Sequence, residues 1–256
     1  MSHEKLVVLA MMAANGLALF LLERRGPSGG GDGRSRHVGP NLALTALLIA
    51  ANVALERISS AVPVATGEAG AGLARWAPPG WAAILLVVIA LDGLAYLAHV
   101  LMHKLPPAWR FHRVHHSDAY VDVTTAFRQH PFETAWRQGF LLAGALALGA
   151  SPAAVAVYLA LSALNAQVEH ADVRLPWRLE RALRLLVATP AMHRVHHSRR
   201  QAETDTNYSN IFSFWDRLFG TFRAPRRGER IATGLDEYDG PRHQRTAGLL
   251  ALPFAR

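Results

Sequence analysis

The feature that most constrains this chain is a hexapeptide it uses twice. His112-Arg113-Val114-His115-His116-Ser117 recurs, letter for letter, as His193-Arg194-Val195-His196-His197-Ser198. On a helix, positions i, i+3 and i+4 share a face, so each copy is expected to aim three imidazoles one way. His99 and His103, four apart at the end of an apolar run, form a third cluster on one helical face. Eight of the thirteen histidines thus lie in three short blocks. Clustered imidazoles repel one another when protonated and leave nitrogens unpaired when neutral, and a shared cation removes both problems. Imidazole without thiolate or a regular carboxylate partner suits a borderline transition metal such as iron, zinc or copper. Eight such ligands exceed one tetrahedral site, which points to a two-metal centre. His3, His37 and His243 stand alone and are read as ordinary core or surface residues.

Composition then sets the environment. The chain has 256 residues, 51% of them hydrophobic, and a mean hydropathy of +0.12, which favours a membrane protein. The absence of cysteine excludes disulfides, thiolate metal sites and iron-sulfur ligation. A net charge of +8 sits mainly on arginines between and after the apolar runs. That distribution reads as cytoplasmic loops facing anionic lipid, with no nucleic-acid partner.

Leu6 to Leu22 is long enough to span a bilayer, and with no cleavage pattern it is read as a retained helix. The flexible loop Gly26 to Gly33 follows, flanked by Arg24, Arg25, Arg34 and Arg36, which place it in the cytoplasm. Val38 to Leu55 is the second span and Glu56 to Gly80 the outside connection, with Trp76 and Trp81 at the interface. Trp81 to Leu101 is the third span. It carries Asp92, read either as a structural acid satisfied by a neighbouring helix or as one that orients a ligand histidine. Pro106-Pro107 is placed to start the helix of the first hexapeptide. The apolar runs Phe140 to Leu148 and Ala153 to Leu164 form a hairpin, 139–170, that either spans or re-enters. It ends at Glu169-His170-Ala171-Asp172, and His170 there is a candidate ninth ligand.

Pro176 to Val187 reads as an amphipathic surface helix, and the aromatics of Asn207 to Phe222 as packing at a membrane interface. Arg223 to Arg256 gives no chemical signal and reads as loosely ordered. With the first loop inside, charge puts every histidine cluster and the C-terminus on the cytoplasmic side. The expected fold is an all-α integral membrane protein: several transmembrane helices plus a helical hairpin, with a cytoplasmic histidine-rich helical cap holding a two-metal site.

The order His-x-x-x-His, His-x-x-His-His, His-x-x-His-His after an apolar span resembles the fatty acid hydroxylase superfamily, membrane di-iron enzymes that include sterol desaturases and alkylglycerol monooxygenases. Further matching residues are Asp92, Trp109-Arg110-Phe111, Asp118, His130-Pro131 with Glu133, Thr189-Pro190, and Trp215 to Thr221. The resemblance covers about Leu91 to Phe222. Its members often carry Asn two residues after the histidine equivalent to His170, whereas Asp172 stands here.

The resemblance implies a division into two N-terminal spans (1–80), a catalytic domain (81–225) and a tail (226–256). Its implied metal ligands are His99, His103, His112, His115, His116, His170, His193, His196 and His197, with no catalytic group separate from them. Asp92, His130, Glu133 and Asp172 are candidates to support ligands or meet substrate. The implied cofactors are two iron ions, which zinc can replace in a purified sample, with O2 as co-substrate. The implied activity is a non-haem di-iron oxidation of an unactivated C–H bond to an alcohol or an alkene. Its substrate would be a bilayer lipid: fatty acyl, sterol-like, isoprenoid or ether lipid. Electrons are expected from a separate electron-transfer protein, and the location is a multi-pass membrane protein of the cell (inner) membrane in a bacterium. Two other classes stay open, a zinc-dependent membrane hydrolase and a metal transport or sensing protein.

Overall fold

The structure, a computed structural model, describes residues 3–24, 34–68, 72–73 and 80–255. Five long helices form a bundle: α1 (His3–Glu23), α2 (Arg34–Glu68), α3 (Trp81–Lys104), α5 (Pro131–Leu148) and α6 (Pro152–His170). Short helices build a cap: α4 (Pro106–His116), α7 (Trp177–Leu183), α8 (Pro190–His196), α9 (Gln201–Thr204), α10 (Phe214–Leu218) and α11 (Thr246–Ala251). Among the described residues β-structure is limited to two isolated bridges, Val187 with Phe212 and Ser198 with Thr233.

Among the described residues three helices are long and apolar enough to cross a membrane, over Leu6–Glu23, Arg36–Ala54 and Trp81–Lys104. α1 exposes Leu6, Leu9, Met11, Leu17, Leu21 and Leu22, as a lipid-facing helix does. α3 is the most buried of the three and packs against α5 and α6. Its Val87, Val88 and Leu91 meet Ala145 of α5 and Ala154, Val155 and Tyr158 of α6. Small residues permit this close approach: a Cβ on Gly144 would fall 2.4 Å from the Leu94 side chain. Gly149, with φ at 63°, closes α5 in the left-handed conformation that turns the chain towards α6.

Lipid offers helices no hydrophobic drive to associate, so polar side chains inside the bundle supply specific links. Asn15 donates to Gln167 Oε1 at 2.8 Å and Gln167 donates to the Met12 carbonyl at 3.0 Å, joining α1 to α6. Gln138 donates to Asn52 at 2.8 Å, joining α2 to α5.

Alternating chain direction brings the C-terminal ends of α1, α3 and α6 and the N-terminal ends of α2 and α5 to the same end of the bundle. Side-chain bonds show this. Glu23, at the end of α1, accepts from the backbone N–H groups of Val123 and Asp172. His37, in the first turn of α2, meets Asp118 at 3.0 Å. The cap closes over that end.

Three expectations change. Residues 56–68, expected as connection, continue α2, because Ala54, Leu55, Glu56 and Arg57 are good helix formers with no breaker among them. The chain after Arg223 is not loose: Leu249 and Leu252 are buried against Leu44 of α2 and Val114 of α4. The surface helix is short, with α7 ending at Leu183. The loop Gly26 to Gly33, its flank Arg25, and Trp76 lie outside the described residues.

Candidate metal centre

Local sequence explains how the ligands are presented. Pro106 and Pro107 occupy the first turn of α4, where a missing N–H costs nothing, and the helix runs into the first hexapeptide. Thr189 caps α8 by accepting from Met192 N, Pro190 follows, and the second hexapeptide forms the helix end. His99 and His103 lie in the last two turns of α3, and His170 is the last residue of α6.

All nine histidines converge, in two groups. His99, His103, His112, His116 and His196 form one; His115, His170, His193 and His197 form the other. Within each group the ligand atoms lie within 4.8 Å of one another, and every residue is buried. Each hexapeptide therefore divides its imidazoles between two groups. The three imidazoles of each copy share a face, as expected, but divide between the groups: positions 1 and 5 reach one, and position 4, about 60° from position 1 and 100° from position 5, reaches the other.

Hydrogen bonding tests whether metal fits. His99 Nδ1 lies 2.7 Å from the Tyr208 carbonyl and His196 Nδ1 lies 2.8 Å from the Thr206 carbonyl. A carbonyl only accepts, so both Nδ1 atoms carry the proton and both Nε2 atoms of the neutral rings are bare. Those bare nitrogens face each other at 3.1 Å. His170 repeats the pattern, with Nδ1 at 2.7 Å from the Ala166 carbonyl and Nε2 at 3.1 Å from His115 and 3.0 Å from His193. Lone pairs opposed at that distance repel unless a cation lies between them. Two nitrogens each about 2.1 Å from one ion, at a right angle, stand about 3.0 Å apart. The residues fit a metal in each group.

Burial, and after it the facing imidazoles, holds His112, His115, His116, His193 and His197 well below the ordinary histidine range. Neutral rings are the form that ligates.

Around the ligands lie acids. Glu133 Oε1 is 3.1 Å from His112 Nδ1 and also accepts from Arg137 Nε, so it fixes the ring that presents Nε2. Glu169 is buried with Oε2 3.8 Å from His193 Nδ1, and neither atom has a hydrogen-bond partner among the described residues. Asp205 is 3.4 Å from His103 Nδ1.

The other candidates sit elsewhere. Asp92 accepts from the backbone N–H groups of Ile211 and Phe212 and from the Trp215 indole at 3.1 Å. It ties α3 to the aromatic segment and meets no imidazole, so of its two readings the structural one describes it. His130 caps α5, its Nδ1 accepting from Phe132 N, and it belongs to neither histidine group. Asp172 accepts from Arg194 Nη2 at 2.9 Å and likewise lies outside both groups.

Three residues to which the sequence assigned no role at the site are buried beside the first hexapeptide. Arg128 is fully buried and donates to Val114 O, Ser117 Oγ, Asn41 Oδ1 and Gln244 Oε1 at 2.8 to 3.0 Å. Asp118 takes hydrogen bonds from Asn41 and Thr125; burial alone would raise its carboxyl, but Arg128 and His37 hold it far below the usual range. His37, taken for an ordinary histidine, is buried between Asp118 and Asp122. The only sequence signal was Asp118 directly after a hexapeptide; nothing marked Arg128 among the basic residues around it.

Comparison with known proteins bears on the same residues. The family model described as fatty acid hydroxylase matches residues 84–221, over half of the chain. Ornithine lipid hydroxylase OlsE of Rhizobium tropici is 34% identical over 185 residues, 71% of this chain and 53% of that protein. Alkylglycerol monooxygenase of Danio rerio is 34% identical over 150 residues, 59% of this chain and 32% of that protein. Its Homo sapiens counterpart is 33% identical over 149 residues, 57% and 32%. The chain thus spans about half the length of the first relative and about a third of the other two. No solved structure matches. The family match runs from the third apolar helix through both hexapeptides to the aromatic segment, and the chain is a member of the fatty acid hydroxylase family.

Proposed function

We propose that this chain is a membrane-bound oxidoreductase that uses two iron ions and O2 to hydroxylate or desaturate a C–H bond of a lipid-like substrate. One observation carries the reading: nine buried imidazoles, with bare nitrogens opposed at 3.0 to 3.1 Å, gather at one end of apolar helices. The relatives named as lipid hydroxylase and alkylglycerol monooxygenase support the substrate class. Iron bound there would supply the activation of dioxygen, with electrons from a separate carrier protein.

The chain's own residues do the rest. The Tyr208, Thr206 and Ala166 carbonyls and Glu133 orient ligand rings through Nδ1. Burial of every ligand excludes bulk water, and the exposed leucines of α1 to α3 leave the bundle bathed in the solvent of the substrate. The reading also places the histidine end in the cytoplasm, because Arg24, Arg25, Arg34 and Arg36 flank the first loop at that end.

The two other classes fit less well. Two-metal hydrolases generally use bridging carboxylates, and neither group contains a carboxylate. A transport path would place ligands at mid-membrane, whereas His99 and His103 close the last two turns of α3.

The test is direct. Protein loaded with iron in lipid nanodiscs, chemically reduced and exposed to 18O2, should yield lipid carrying one 18O, or an alkene with H2 18O as by-product. Zinc-loaded protein should yield neither. Product from the zinc form, or ester hydrolysis by it, would overturn the reading.

A further inference from the structure

On the outer side of α8 lies a cleft of about 530 Å³ that the metal centre does not use. Ala191 and Arg194 line it; at about 100° per residue Ala191 falls about 120° or more around α8 from His193, His196 and His197, and Arg194 lies between it and His197. One wall is the segment leaving His170, from Asp172 to Leu175, with Trp177 and Glu180 of α7; the other is Pro225 to Ile231.

The charges in this cleft do not balance. Arg174, Arg194, Arg226, Arg227 and Arg230 face Asp172, Glu180 and Glu229. The acids are engaged: Asp172 accepts from Arg194 at 2.9 Å, Glu180 from the Thr189 hydroxyl at 2.5 Å, and Glu229 from the backbone N–H of Arg226 at 3.0 Å. The guanidinium groups of Arg174, Arg226, Arg227 and Arg230 are left without a carboxylate or carbonyl partner among the described residues. Solvated arginines on a convex surface would need no explanation. Four exposed guanidinium groups converging on one concavity leave it positive, and an oxyanion seated there can take hydrogen bonds from several of them at once.

The surroundings say where the anion comes from. Leu179 and Leu183 of α7 and Leu185 and Leu186 just after it are exposed. Trp177, which lines the cleft, is held under Arg184 at 5.1 Å. An arginine-lined cleft that also holds a tryptophan, on a short helix that exposes leucines, carries the residue types that meet headgroups and acyl chains at a membrane surface. A carboxylate offers two oxygens, whereas a phosphate monoester offers three, which better matches four guanidinium forks.

We propose that the cleft seats the phosphate headgroup of a membrane amphiphile. The inference rests on the lipid-oxidising reading only where it allows that amphiphile to be the substrate; a phosphate-bearing lipid of the bilayer is the other source.

The test uses the full chain, iron-loaded, in phosphatidylcholine nanodiscs, with dodecyl phosphate as probe. Dodecyl phosphate should bind saturably at one site per chain, inorganic phosphate should compete, and dodecyltrimethylammonium should not bind there. The combined variant R174Q/R226Q/R227Q/R230Q should bind at least tenfold more weakly while keeping its metal content. The control R178Q/R181Q removes two exposed charges from α7 outside the cleft and should bind as the parent does. Equal weakening by the control, or parental binding by the cleft variant, overturns the proposal. Turnover of a phosphate-bearing lipid then separates the sources: a raised KM with kcat kept assigns the cleft to substrate, and unchanged kinetics with weakened binding assigns it to a bilayer lipid. Failure of the oxygenase reading would show as absent turnover in the parent and would leave the binding result standing.

Discussion

The two hexapeptides are identical in sequence and opposite in use. In the first, His112 and His116 enter the five-histidine group and His115 the four; in the second, His193 and His197 enter the four and His196 the five. The correspondence extends to their neighbours. His99 Nε2 touches position 1 of the first copy and position 4 of the second, at 3.0 and 3.1 Å. His170 Nε2 touches position 1 of the second and position 4 of the first, at 3.0 and 3.1 Å. The motif therefore works as a bridge: the two copies together build two histidine groups that could each hold a metal, one joined by His99 and His103 of α3 and the other by His170 of α6. The shared arginine anchors each copy to a different segment. Arg113 donates to the Leu252 and Ala255 carbonyls, and Arg194 to Asp172 and the Val121 carbonyl.

The symmetry fails at one ligand. His103 gives the first group a fifth imidazole, one turn beyond His99, but α6 ends at His170 and supplies no counterpart. The largest predicted effect follows from that difference. His193→Ala leaves three imidazoles in its group and should lose that metal and turnover by roughly a hundredfold or more, beyond the ~10–100-fold effect of a residue that merely supports a ligand. His103→Ala leaves four, as many as the other group has, and should keep both metals with a smaller loss. Metal per chain by mass spectrometry and product formation decide it; equal loss in both variants would break the distinction.

Arg128 sharpens the comparison through stability, because the first copy is held by a fully buried guanidinium from outside the motif. It holds Val114 O and Ser117 Oγ of that copy beside the buried Asp118, 3.9 Å away. Arg128→Met should destabilise the fold by about 1–3 kcal/mol, the cost of leaving buried acceptors such as Val114 O without their donor, while His37 stays on Asp118. Arg199, exposed in part and paired to the exposed Asp236, is the contrast beside the second copy, and Arg199→Met should cost no more than about 1 kcal/mol. Thermal unfolding in detergent measures both.

The position 1 histidines carry the next test. Glu133 backs His112 at 3.1 Å, while Glu169 stands off His193 at 3.8 Å. Glu133→Gln should weaken metal retention against a chelator by ~10–100-fold. If the symmetry holds once metal draws His193 into place, Glu169→Gln should do the same to the four-histidine group. A parental Glu169→Gln would show that the acids, unlike the imidazoles, are not paired.

How much of this was legible varies by residue. The eight clustered histidines stood out because spacing on a helix depends on sequence alone, and His170, the ninth to join the two groups, because it closes an apolar run. The division of each hexapeptide was not legible, since it depends on how α4 and α8 face one another. Asp92 showed its depth but not its partners, which are backbone amides some 120 positions later in the chain. The segment around Leu249 and Leu252 hid because one and a half turns of apolar sequence carry no period, yet both side chains fill a gap beside Val114.

Asp172 marks the smallest expected effect, at the point where the symmetric halves diverge. Its carboxylate accepts from Arg194 Nη2, and its backbone N–H donates to Glu23, so it holds the turn after His170 against the second hexapeptide. Asn is nearly isosteric and keeps an oxygen that can accept from Arg194, but it removes the negative charge. Since Asp172 belongs to neither histidine group, Asp172→Asn should shift metal retention and turnover only several-fold. Asp172→Ala leaves Arg194, itself partly buried, without this acceptor, and should cost about 1–3 kcal/mol of stability with a larger loss of turnover. Chelator competition and unfolding, measured on both variants, separate the two roles. A hundredfold loss of metal in Asp172→Asn with stability unchanged would place the carboxylate at the metal and leave the arginine pair incidental.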